Sequence, residues 1–135
     1  MKKTLATIVA IGALGVLTAA SAQQPTFTRT VLQQLDISVP GREAVMALVT
    51  LPPTATSGRH THFGEEIGYI LEGTVVIEQE GKPAMTVAAG KPFLIPAGTV
   101  HSATNNGTAT ARLVANYIVE KGKPLATPAP GAAKK

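Results

Sequence analysis

Glycine and proline cut this chain into pieces too short for most helices. Pro40-Gly41, Pro52-Pro53, Gly81-Lys82-Pro83, Ala89-Gly90, Pro96-Ala97-Gly98 and Asn105-Asn106-Gly107 follow one another along the middle of the sequence. Glycine admits positive φ, proline fixes φ and removes an N–H, and asparagine bonds its own backbone, so each group marks a turn. The segments between are short and rich in valine, isoleucine and threonine, which suit a pleated surface. Residues 43–51 have a helix-compatible composition, but their confinement between two breakers favours a buried strand. Extended structure is expected from Phe27, then over residues 74–78, 85–88, 93–95, 100–104 and 109–120. Asn105-Asn106-Gly107-Thr108 predicts a hairpin joining the last two. About eight or nine short strands without a convincing helix point to an all-β sandwich or barrel. Closure or two packed sheets would protect the edges.

The two ends differ from this middle. Met1-Lys2-Lys3 is basic, residues 8–17 are apolar apart from glycine, and Ala20-Ser21-Ala22 is a small-x-small site. That layout is a cleavable secretory signal peptide over residues 1–22, removed after Ala22. Its apolar run falls short of the ~20 residues of a membrane-spanning helix, so no stable membrane anchor is expected. Removing residues 1–22 from 135 leaves 113, one domain's worth, and takes two of the twelve basic residues with it. A periplasmic or secreted protein follows. The chain has no cysteine, which excludes a disulfide scaffold and thiolate catalysis. Its positive charge is concentrated at the ends, at Lys2, Lys3, Lys134 and Lys135, and no aromatic interleaving supports a nucleic-acid face. The domain is therefore placed at residues 23–120. Residues 121–135, almost wholly Gly, Pro, Ala, Thr and Lys, read as a flexible, solvated tail that could touch the barrel through Leu125.

All three histidines fall in two places. His60 and His62 are two apart, which on a strand puts both imidazoles on one face and Arg59 and Thr61 on the other. Glu65 or Glu66 can reach the same point after a turn at Phe63-Gly64. His101 follows the Pro96-Ala97-Gly98 turn. Imidazole and carboxylate together suit one divalent transition metal: Mn, Fe, Zn, Ni or Cu.

These residues resemble the two motifs of the cupin superfamily. The first motif, His-x-His, a carboxylate and a closing glycine, reads His60, His62, Glu66 and Gly73. The second, Gly, Pro-x-Gly, His and Asn, reads Gly90, Pro96, Gly98, His101 and Asn105. One position departs: the glycine expected six residues before the first histidine is Thr54. The resemblance covers residues 45–119 and is closest to small single-domain members exported by bacteria. It implies a double-stranded β-helix, or jelly-roll barrel, with metal held by His60, His62, Glu66 and His101, turns at Gly73, Gly90 and Gly98, and a homodimer. Spacing to Gly73 favours Glu66 over Glu65, and Asn105 reads as a turn residue rather than a ligand.

Little else in the sequence speaks for a reaction. Strand parity sets Tyr69 opposite Glu66 and turns Arg59 outward; Arg29 and Arg42, near turns, are expected to face solvent. The faces of Arg112, Asn116 and Tyr117 stay open. Phe63 and Phe93 are expected in the core or barrel lining. Gly68 shares the face of Glu66 and would leave space beside an ion. Catalytic residues remain unassigned. Family analogy implies a metal-dependent dioxygenase, decarboxylase, lyase or isomerase acting on a small oxygen-rich metabolite. A non-catalytic protein that binds a metal or a small molecule is the alternative, and a ligand-binding module of a larger assembly is a third.

Overall fold

The computed structural model describes residues 25–131; the signal-peptide reading lies outside them. The described residues form β1 (Thr28–Asp36), β2 (Arg42–Leu51), β3 (His60–Thr61), β4 (Gly64–Glu72), β5 (Thr74–Gln79), β6 (Met85–Ala88), β7 (Pro92–Ile95), β8 (His101–Thr104), β9 (Ala111–Glu120) and β10 (Thr127–Pro128). They build two five-stranded sheets, ordered β1-β2-β9-β4-β7 and β10-β3-β8-β5-β6. This is an all-β double-stranded β-helix. The long strands β2 and β9, and β4 as far as Leu71, alternate between buried and outward positions, because a period of two sends successive side chains to opposite faces. Val45, Val49, Leu51, Ile70, Leu113 and Tyr117 of the first sheet fill the interior with Val75, Ile77 and Val87 of the second.

The connection around Asn105 is not the expected hairpin. β8 pairs with β5 and β3, whereas β9 pairs with β2 and β4. The turn signal is present, but it carries the chain from one sheet to the other. The buried Asn105 amide holds this crossover by donating to the carbonyls of Leu51 and Ala109, both at 2.8 Å, while its Oδ1 accepts the Gly107 N–H at 2.9 Å. Nearby, Thr54 has φ 68°. It occupies the left-handed backbone position where the motif has glycine, held by its N–H bond to the Asn105 carbonyl at 2.9 Å.

The C-terminal segment also departs from the expected solvated arm. Leu125 packs against the core. Thr127 and Pro128 pair with Thr61 and His60 as β10, and the Ala129 N–H donates to the Arg59 carbonyl at 3.0 Å. A Pro- and Ala-rich segment cannot fold alone, but here it needs only to add an edge to an existing sheet.

Candidate metal centre

Both sheets contribute to one buried cluster. β3 and β8 lie side by side with His60 opposite His101; His62 follows β3, and Glu66 projects inward from β4 beside Tyr117 of β9. His60, His62, Glu66 and His101 are all buried. Their ligand atoms lie within 4.8 Å of one another. Glu66 Oε2 stands 3.0 Å from His62 Nε2 and 3.1 Å from His101 Nε2. Glu65 and Tyr69 point outward, as spacing and parity predict.

Each imidazole is fixed from behind by a main-chain oxygen. His60 Nδ1 lies 2.9 Å from the Gly58 carbonyl and His101 Nδ1 lies 2.8 Å from that of Thr99. His62 Nδ1 contacts the carbonyl of Leu125, from the C-terminal segment. A carbonyl only accepts, so each Nδ1 carries the hydrogen and each Nε2 is turned to the cluster. Yet the Glu66 oxygen facing two of these Nε2 atoms also accepts only. Either a proton on each ring or one shared cation must lie between them. Two ligand atoms at right angles and about 2.1 Å from one ion stand about 3.0 Å apart, which is the spacing seen here. The donor set therefore fits a divalent transition metal.

Electrostatics point the same way. Burial lowers the His60 pKa to about 4 against the opposing Gly58 bond, with His101, His62 and Arg29 adding to the shift. Burial alone would raise the Glu66 carboxyl, but the hydrogen bonds and charges of His101 and His62 outweigh it and bring it to about 2. For His60 and Glu66 these are the forms, neutral imidazole and ionised carboxylate, in which each can bind a metal.

Next to the cluster is a small cavity of about 20 Å³ bordered by Arg29, His60, Glu66, His101 and Tyr117 and closed by Phe27 and Phe93. Three expectations are corrected here. Arg29 does not face solvent: its Nε is buried and its guanidinium lies 5.5 Å from the centre of the Tyr117 ring. It shares the inward parity of Phe27, a signal the sequence carried but that proximity to a turn obscured. Gly68 does not leave room beside the cluster, because a Cβ there would overlap the ring of Phe93, which fills that space. Phe93 is core, as expected, but Phe63 is exposed beneath Lys123.

Other arginines stay outside. Arg59 meets Glu80 at 3.2 Å, Arg112 meets Glu72 at 3.4 Å, and Arg42 donates to the Phe63 carbonyl. Tyr117, undecided from sequence, is fully buried with its ring 4.8 Å from that of His62. Its hydroxyl has no hydrogen-bond partner. Burial pushes its pKa up, the nearby Glu66 carboxylate adding to the rise.

The same architecture occurs in solved structures. The DMSP lyase DddQ from Ruegeria pomeroyi DSS-3 superposes with a TM-score of 0.63 at 20% identity, over 76% of this chain and 51% of that one. An oxalate oxidase in complex with the substrate analogue glycolate gives 0.57 at 26% identity, over 67% of this chain and 50% of that one. Among curated proteins, the HTH-type transcriptional regulator PuuR of Escherichia coli K12 is 36% identical over 79 residues, 58% of this chain. This chain spans 42% of that regulator's length. The cupin domain model matches residues 47–120, and the chain belongs to the cupin family.

Proposed function

We propose that His60, His62, Glu66 and His101 hold one divalent transition metal, and that the protein performs metal-dependent chemistry on a small oxygen-rich metabolite. The observation that carries this reading is the convergence of four buried donors, three of them imidazoles locked by main-chain carbonyls. Such a metal would act as a Lewis acid and orient an oxygen donor at its open positions. The chain's own residues would exclude water, through Phe27, Phe93 and Ile77, and keep the imidazoles in the right tautomer. The oxalate oxidase relative makes an oxidase or dioxygenase the first class to assay, with decarboxylase, lyase and isomerase after it.

Binding without turnover is the second reading, favoured by one observation. Beyond His60, Glu66 and His101, the cavity's polar side chains are Arg29, Ser57 and Tyr117, and none of them is suited to act as a base near neutrality. Elemental analysis of natively purified protein tests the metal. We expect about one ion per chain, lost in His60→Ala and in His101→Ala; variants that keep the wild-type metal content would reject the assignment. Export is proposed from residues 1–22, and a mature chain beginning at Gln23 is the result that supports it.

We also propose a homodimer, with the outer face of the first sheet as its interface. Met46, Asn116, Ile67 and Leu94 form one row across β2, β9, β4 and β7. The three apolar members of that row are 41%, 44% and 54% exposed. Leu48, Val114, Tyr69 and Pro92 form the next row. Contiguous apolar surface of this kind marks an interaction site. Each margin carries both signs of charge, Arg112 with Glu72 and Arg42 with Glu120, so a second copy can meet the patch without like-charge repulsion.

A further inference from the structure

We propose that Phe93 sets the size of what can meet the metal, admitting a ligand of one or two heavy atoms and excluding rings and branched acids. This deepens the metal reading and rests on it, narrowing the small oxygen-rich substrate to one the size of dioxygen or peroxide. The space next to the cluster is about 20 Å³ and is bordered by His60, Glu66, His101 and Phe93. That is close to what one water needs. No donor is more than 7% exposed. A second, open hollow of about 260 Å³ lies against Arg42, His62, Phe63 and Glu120. Of the four donors it reaches only His62, which is 2% exposed, so it offers no passage to the other three.

Packing shows why Phe93, rather than another wall residue, sets this limit. On the inner face of the first sheet, Ala47, Ala115, Gly68 and Phe93 form one row, and Val45, Tyr117, Glu66 and Ile95 form the next. Small neighbours leave room in the first row, and the Phe93 ring lies in it. A Cβ on Gly68 would stand 2.0 Å from the ring's Cζ. The ring therefore closes, one row from Glu66, a space that the small residues leave open. Val49 and Leu113 also line the cavity. They stand in a row of large side chains with Ile70, where no such gap exists. Without the Phe93 ring the gap would join the cavity, and apolar voids of roughly 150 Å³ take up a benzene-sized guest.

Cobalt(II) is the probe metal, because its visible absorption reports each added ligand. Cyanide and free imidazole are the probe ligands, two heavy atoms against a ring. Both are titrated into cobalt-loaded wild type, Phe93→Ala, Phe93→Leu and Gly68→Ala, with cobalt content measured on the same samples. Wild type should bind cyanide and show no response to imidazole at comparable concentration. Forcing a ring into a filled site costs what overpacking costs, so Phe93→Ala should bind imidazole about 10–100-fold more tightly than wild type. Phe93→Leu removes less volume, stands in if the alanine variant fails to fold, and should gain in the same direction by a smaller factor. Gly68→Ala presses the ring toward the cavity and should weaken cyanide about 10-fold. A cobalt-loaded wild type that binds imidazole as tightly as Phe93→Ala, or that refuses cyanide, would overturn the size limit alone. Imidazole refused by both Phe93 variants, or cyanide bound equally by Gly68→Ala and wild type, would overturn the assignment to Phe93. A wild type without stoichiometric cobalt would overturn the metal reading, and the size limit with it.

Discussion

The carbonyl of Leu125 accepts the Nδ1 hydrogen of His62, 63 residues away in sequence. A single main-chain oxygen in the C-terminal segment thus sets the tautomer of a buried imidazole. The same segment lies along β3 through Thr127 and Pro128. A chain ending at Pro124 should therefore fold its barrel yet bind metal about 10–100-fold more weakly, the usual effect of losing a partner behind a histidine ligand. Competition with a chelator of known affinity measures this. Equal affinity in the full-length and shortened chains would mean that the segment is only a cover.

Acid should destabilise the metal-free protein in two stages. The folded-state pKa of His60 is lowered from 6.5 to about 4, mainly by burial. Between those values the unfolded chain holds a proton that the folded chain refuses, so stability falls as pH falls through that window. Glu66 is lowered from 4.5 to about 2 by His101 and His62 against the effect of burial. Its contribution is complete above pH 4.5 and is lost as pH falls toward 2. Urea midpoints across pH 7 to 4 should show a slope in wild type that is shallower by close to one proton in His60→Gln. Parallel slopes would exclude His60 as the cause.

Strand positions along the chain and the four clustered side chains were legible for local reasons. Turn residues mark strand ends, and His-x-His needs only the two-residue period to put both rings on one face. What escaped the sequence depends on distant partners. Asn105-Asn106-Gly107 announces a reversal but not which sheet receives the next strand. The inward course of Arg29 depends on where β1 begins and on lying before the irregularity between Val31 and Gln33. No side-chain pattern could reveal Leu125, because the atom that matters is its carbonyl. Thr54 reads as a motif mismatch, and only the backbone shows that it adopts the glycine-like angle regardless.

Gly68 sits opposite Phe93 in the β4–β7 register, and its missing side chain is the seat of that ring. Gly68→Ala should cost about 1–3 kcal/mol by overpacking, and the displaced ring should press toward the metal cluster and the cavity. Phe93→Leu in the same chain should recover part of the loss, because the smaller side chain leaves room for the new methyl. Chemical denaturation of both single variants and the double variant gives the coupling. Strictly additive effects would show that the two positions do not share this space.

Ile67 occupies the centre of the apolar row on the outer sheet face, between Asn116 of β9 and Leu94 of β7. Its side chain touches neither the cavity nor the metal donors, since its neighbours Glu66 and Gly68 take the inward face. A carboxylate there would be solvated in a monomer but desolvated and brought near its symmetry mate in a dimer. Ile67→Glu should therefore shift the mass in light scattering from two chains toward one while metal content stays at the wild-type level. The reverse pattern, an unchanged mass, would mean that the second copy does not sit on this face. A wild type that is already monomeric at high concentration would remove the homodimer altogether and leave the exposed row for a different partner.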